Sequence, residues 1–396
     1  MSAADSGAVN SPVKLAIVRQ RYNAFGGAER FVERAAAALR AQGASVTIVS
    51  REWSGRAAGR TAAGGTEGDT WLRCDPFYFG RLWRDWSFAR AACRAARCGD
   101  FDLVQSHERI ACCDVYRAGD GVHAQWLENR ARQAKPWVRR WAALNPYHRY
   151  VLAAERRMFA SPRLRAVICN SRMVRDEIRR WFALEDERLH VVYNGVDLEN
   201  FHPGLRALHS AELRARLGVP DAAPVVLFVG SGFERKGVGA LLRALAGMGR
   251  RDVHLAIVGK DRAQFRFEAL ARSLGIAAQV HWAGAQNEVR PWYGMADLFV
   301  LPTLYDPFPN AALEAMACGV GVITTRQCGA AEAIEDGANG YVCRDPADAQ
   351  ELASRMSAAL ERGRELGVRA RAVAECFGVA AMAERLLSLY RSLLRK

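Results

Sequence analysis

Two adjacent cations, Arg235 and Lys236, stand in "GSGFERKGVGALLRAL", residues 230–245, between the apolar strand "PVVLFVG" and a leucine-spaced helix. A helix start already carries unsatisfied N–H groups and a partial positive charge. Further cations there repel one another until an anion arrives, and phosphate is the anion such a turn suits. Arg235 offers a bidentate fork to phosphate oxygens and Lys236 a point charge. The bland alternative is a solvated basic turn. Gly26 and Gly27, in "NAFGGAERFVERAAAAL", form a similar turn after the first strand. Glycines let the backbone approach a ligand closely. One such turn is weak evidence; two at equivalent places in two halves point to a shared, phosphate-bearing ligand.

Carboxylates supply the second half of the chemistry. In "YDPFPNAALEAMACGVGVITT", residues 305–325, Asp306 and Glu314 are eight positions apart. Asn310 is expected to cap a helix, "AALEAMA", that runs to Gly319. Glu314 then falls in an apolar helical run, where a lone carboxylate is costly without donors. Sugar hydroxyls would serve; an internal salt bridge is the alternative.

The elements that position these groups follow from the apolar pattern. Short β-branched runs alternate with helical patterns: 14–20, 45–50, 101–107, 114–120, 165–171 and 189–195 in the first half. In the second they fall at 224–230, 254–260, 279–284, 298–303, 321–325 and 340–343. Nearly continuous apolar strands joined by helices imply parallel sheets covered on both faces. The fold class is therefore α/β, with two doubly wound Rossmann-like domains facing a cleft. The expected boundaries are 12–205, 206–377, and a last helix within 378–396 that packs back on the first domain. Ligands of such sheets bind beyond the carboxyl ends of the strands. Residues 55–70, rich in glycine and alanine, are expected to form a loop.

Bulk properties narrow the class. The chain has 396 residues and a net charge of +14, with no apolar run long enough to span a bilayer. The start carries no apolar signal region, which points to the cytoplasm. Ten cysteines show no clustered metal spacing and are expected to be reduced core residues; neighbours such as Cys112 and Cys113 rarely bridge. Neither a metal nor a cofactor is expected. The charge calls for an acidic partner. Residues 125–159 mix cations with Trp126, Trp137 and Trp141, and Trp137, Trp141 and Leu144 share one helical face while Arg139 and Arg140 lie off it. Such a helix suits an anionic bilayer surface, and equally a core-packing helix with a solvated face. No recognised nucleic-acid motif accompanies the charge.

With these motifs in place, the chain resembles the retaining glycosyltransferases of the GT-B fold, carbohydrate-active family four. "GGAER", "YNGVD", "RKG" and the paired carboxylates before "EAMACG" carry the resemblance over nearly the whole length. Within that family it resembles the lipopolysaccharide core glucosyltransferases that act on inner-core heptose, through "GSGFERKGV", "VGKDRAQFRFEALARSLG" and "CDVYRAGDGVHAQ". The resemblance implies a nucleotide-sugar donor, UDP-glucose, and a lipid-linked phosphorylated glycan acceptor at the inner face of the cytoplasmic membrane. It implies that Gly26, Gly27, Arg235 and Lys236 hold the donor diphosphate. Glu314 takes the ribose, with Asn310 beside it, and Asp306 the transferred sugar. Asp120 lies beside the sugar and acceptor, where many relatives carry histidine; His123 could be the polar cleft group instead, or a surface or capping histidine. Asp306 stands where the family usually has Glu, which leaves the sugar contact open. A nucleotide-sugar epimerase of the same shape and a non-catalytic basic membrane protein are the rival classes, since fold alone does not fix function.

Overall fold

The computed structural model describes residues 13–21, 35–52, 70–133 and 145–395. Gly26, Gly27, Trp137, Arg139, Arg140 and Trp141 lie outside the described residues.

The first half contributes β1 (Lys14–Val18), β2 (Ser45–Ser50), β3 (Thr70–Arg73), β4 (Leu103–Ser106), β5 (Val115–Arg117), β6 (Ala166–Cys169) and β7 (Leu189–Val191). They form one sheet in the order β3-β2-β1-β4-β5-β6-β7, every pair parallel. The second half contributes β8 (Val225–Val229), β9 (His254–Val258), β10 (Val280–Gly284), β11 (Leu298–Val300), β12 (Gly321–Thr325) and β13 (Gly340–Cys343). Their order is β10-β9-β8-β11-β12-β13, again parallel throughout. All five residues of β8 and of β12 are buried, as helices on both faces require. The α/β class and the paired doubly wound sheets agree with the sequence reading. In each sheet the strand order reverses beside the first strand, between β1 and β4 and between β8 and β11. A crevice opens at such a reversal.

The two halves are stitched together. The helix Val379–Leu394 returns to the first sheet, where Met382, Leu386 and Tyr390 are buried with Leu15, Ile17 and Leu103. Tyr390 donates to Gln105 Oε1 at 2.5 Å. Glu332 of the second half accepts from the backbone N–H groups of Arg172 (2.9 Å) and Met173 (2.7 Å), the first turn of helix Arg172–Phe182. It also accepts from the Tyr193 hydroxyl at 2.9 Å. A carboxylate at a helix start satisfies orphan donors and complements the helix dipole.

Three features differ from the sequence reading. β3 was not expected; "TWLR" is only one short edge strand, and its Trp71 donates to Ser50 Oγ at 2.8 Å. Asn310 is the first helical residue of Asn310–Ala317 and not its cap; Pro309 precedes it and no side chain caps the helix. Cys112 is not reduced: it is disulfide-bonded to Cys93 on the helix Gly80–Cys98. The helix lies against the segment after β4, so the two Cα atoms are 5.7 Å apart, within bridging reach. A separation of 19 residues gives no hint of that approach.

Candidate active site

The carboxyl ends of both sheets open into one cleft of about 710 Å³. The first half supplies Arg19 after β1, His107 and Arg109 after β4, Asp120 after β5 and Asn194 after β7. The second supplies Gly230 after β8, Gly259 after β9, and the segment from Tyr305 to Glu314 after β11.

Arg235 and Lys236 lie in the turn before the helix Val238–Gly247. Both converge on one oxygen: Asp306 Oδ2 is 3.3 Å from Arg235 Nη1 and 3.3 Å from Lys236 Nζ. Arg235 also donates to the Tyr305 carbonyl at 2.7 Å, which fixes its fork. Gly230, at φ +155°, is what admits Lys236: a Cβ there would stand 2.7 Å from the lysine Cδ. Burial pushes the Asp306 carboxyl up, but Lys236 and then Arg235 pull it below the ordinary carboxylate range. Asp306 is therefore charged and offsets one of the two cations, which leaves the cluster with a net positive charge in the cleft.

Glu314 is 2% exposed and accepts from the Tyr293 hydroxyl at 2.9 Å. Asn310 Oδ1 accepts from Asn194 Nδ2 at 2.6 Å, and Asn194 donates to the Phe308 carbonyl at 3.0 Å. Asn194 in turn accepts from buried Arg117 at 2.6 Å. These contacts tie the first half to the carboxylate-bearing helix.

Asp120 sits in the turn after β5, half exposed, with Arg19 Nη1 at 3.7 Å. His123 opens the helix His123–Gln133; its Nε2 is 3.1 Å from His148 Nδ1, and its ring stacks on Trp126 at 5.3 Å. Burial, then Arg109 and His148, push its pKa down to about 3, so the imidazole is neutral at physiological pH. It lines the cleft and is not a surface histidine. Trp126 lines the cleft as well.

The structure thus brings Asp120, His123, Arg235, Lys236, Asp306, Asn310 and Glu314 to one cleft. Sequence reasoning missed Arg19, Arg81, Arg109 and His148, which make the first-half wall basic and polar. It also missed Tyr305. Its hydroxyl crosses to the first half, accepts from the Val122 N–H at 3.1 Å and donates to Glu177 Oε2 at 2.6 Å. Gly121, at φ +69°, makes room: a Cβ would meet that hydroxyl at 2.1 Å. The only sequence signal was the position of Tyr305 beside Asp306.

Residues 25–200 match the family model described as Glycosyltransferase Family 4, and residues 209–374 match Glycosyl transferases group 1. A D-inositol 3-phosphate glycosyltransferase from Streptomyces bingchenggensis is 32% identical over 319 residues, 76% of this chain and 68% of its own length. The chain belongs to the group 1 glycosyltransferases. The lipopolysaccharide glucosyltransferase WaaG of Escherichia coli K12 is 29% identical to this group 1 glycosyltransferase over 259 residues, 63% of the chain and 66% of that protein. Among the first curated relatives it matches, the chain spans 56% to 66% of their length. The crystal structure of WaaG, a glycosyltransferase involved in lipopolysaccharide biosynthesis, superposes with a TM-score of 0.80 at 24% identity, covering 95% of this chain and 99% of that one. That likeness establishes the GT-B fold of this group 1 glycosyltransferase.

Proposed function

We propose that this chain transfers a hexose, glucose from UDP-glucose, to the heptose region of the lipopolysaccharide core, with retention at the anomeric carbon. The observation that carries the reading is the convergence of Arg235 and Lys236 on Asp306 in the cleft between the sheets. Breaking a sugar–phosphate bond builds negative charge on the leaving diphosphate. In this reading Arg235, Lys236 and the turn amides stabilise it, and such preorganised donors are a large catalytic term. Gly26 and Gly27 approach the same phosphates in this reading. Glu314 takes the ribose with Asn310 beside it, and Asp306 holds sugar hydroxyls. Asp120 and neutral His123 face the reacting sugar and the acceptor.

Retention by double displacement needs a carboxylate close to the anomeric centre. The same-face route needs none. The anomeric C–O bond to the diphosphate breaks, the acceptor oxygen bonds the same carbon on the same face, and the acceptor proton passes to the departing phosphate oxygen. The fixed cations take the charge-neutralising role, which makes the reaction metal-independent in this account. The net charge of +14 suits a lipid-linked phosphorylated acceptor and an anionic membrane surface at the cytoplasmic side. A screen of nucleotide sugars by thermal shift tests the donor assignment, because a ligand of the folded state raises its melting point by mass action. UDP-glucose should shift the melt more than ADP- or GDP-sugars. A larger shift with another nucleotide overturns the donor, and none with any sugar nucleotide overturns the transferase reading.

A second acceptor class has support. The relative matched over the larger share of this chain is named for inositol 3-phosphate, so a small phosphorylated polyol would also suit the arginine-rich wall.

A further inference from the structure

Large apolar side chains are exposed at eleven described positions, and six of them fall within residues 72–86: Leu72, Phe77, Phe79, Leu82, Trp83 and Trp86. Phe77 is 79% and Phe79 82% exposed. Single exposed apolar residues mean nothing, but a contiguous patch marks an interaction surface. On the helix Gly80–Cys98, Leu82, Trp83 and Trp86 follow Phe79 at helical spacing, while Phe88, Ala92 and Ala96 fill the core on the other side.

The patch is held in place from beneath. Buried Arg51 donates to the Pro76 carbonyl (2.6 Å), the Arg84 carbonyl (2.8 Å) and Ser87 Oγ (2.8 Å), gripping both the loop and the helix start. Tyr78 is tied in by Arg21 at 2.8 Å, so the phenylalanines on either side of it are presented outward from a fixed loop. Phe77 packs edge-on against Trp83 at 5.8 Å. The neighbouring side chain Arg81 reaches into the cleft wall and lies over the Tyr147 ring at 4.5 Å. The apolar lip therefore borders the cleft.

We propose that this lip, the loop 75–79 with the first two turns of the helix Gly80–Cys98, docks on an anionic bilayer and delivers a lipid-linked acceptor to the cleft beside Arg81. The proposal rests on the transferase reading for its acceptor, and on exposure and charge for its surface. Within the lip Arg81 and Arg84 are matched by Asp75 and Asp85, and the excess positive charge lies behind it at Arg90, Arg94 and Arg97 of the same helix, which carries no acid besides Asp85. A second copy of the chain on the same face would oppose like charges, whereas anionic headgroups neutralise them. Phenylalanine and tryptophan at the tip, with arginines behind, is the arrangement that buries rings at the headgroup boundary while cations meet phosphate. In the sequence this surface lies outside the basic aromatic segment 125–159.

The test uses the full chain and vesicles of phosphatidylcholine with or without abundant phosphatidylglycerol. Wild type should co-sediment with the anionic vesicles, and Phe77→Ser with Phe79→Ser should lower that partitioning by roughly tenfold or more, since two exposed rings lose their burial. Melting and UDP affinity should be unchanged; should the pair unfold, Phe79→Ser alone carries the test with a smaller loss. Sedimentation equal to wild type overturns the proposal. So does loss of sedimentation in Arg139→Ser with Arg140→Ser but not in the phenylalanine pair. A wild-type dimer by light scattering that the pair converts to monomer, with vesicle binding unaltered, assigns the patch to self-association and overturns it too. Absence of UDP binding in both proteins, with the sedimentation difference intact, would remove the transferase reading and leave the docking surface standing.

Discussion

Lys236 Nζ lies 3.3 Å from Asp306 Oδ2, and Arg235 reaches the same oxygen. The carboxylate thus occupies the charge partner that a donor phosphate would otherwise offer. Asp306→Asn removes that competitor while keeping the shape. Free UDP should bind the variant more tightly than wild type, and sugar transfer should fall. Calorimetry with UDP beside a turnover assay checks both signs; weaker UDP binding would contradict the phosphate role of the two cations.

Lys236→Ala should lower turnover on the order of a hundredfold, the usual cost of removing one donor that stabilises developing negative charge. Arg235 still pairs Asp306, so the fold should persist. Purified variant with near-normal kcat and an unaltered melt would remove Lys236 from the chemistry.

Glu314→Gln tests the ribose contact. A hydrogen bond to a charged group contributes about 1.5–3 kcal/mol, so UDP affinity should fall by roughly tenfold or more. The Tyr293 hydroxyl can still donate to the amide oxygen, which keeps the site satisfied. Unchanged UDP affinity with a marked drop in melting temperature would assign Glu314 to internal structure.

Burial pushes Glu177 up to about 7 from an ordinary 4.5, with Tyr305 and Arg180 pulling the other way. Between these values the folded state holds the extra proton, so this group's contribution to stability is full below pH 4.5 and is lost as pH rises through 7. The swing is on the order of 3 kcal/mol. Glu177→Gln should abolish it, and because Tyr305 comes from the other half, the effect falls on the contact between halves. Unfolding curves of wild type and variant across that range check it; parallel pH dependences would contradict the buried, protonated carboxyl.

The buried strands were legible because covering both faces of a sheet leaves a continuous apolar run such as "VVLFV", which a half-exposed strand does not. β3 was not, being four residues at an edge. Arg235, Lys236, Asp306 and Glu314 stood out because charge in glycine turns and apolar helices is costly without a partner. Tyr305, Glu177 and Gly121 did not, since their contact joins segments far apart in the chain and each is ordinary in its own neighbourhood. The Cys93–Cys112 pairing failed for the same reason. A hydrogen-bonding asparagine before a helix reads as a cap, yet Asn310 spends its oxygen on Asn194 across the cleft.

The Arg235–Lys236–Asp306 cluster is proposed above to serve sugar transfer to a heptose acceptor. Incubation with UDP-glucose and a core oligosaccharide ending in inner-core heptose, in the presence of EDTA, tests it most directly, with the product's anomeric configuration read by NMR. An α-glucosyl product and one UDP released per glucose transferred are expected, both strongly reduced in Lys236→Ala. Conversion of UDP-glucose to another nucleotide sugar without acceptor, a β-linked product, or transfer that appears only when a divalent ion is restored would contradict it.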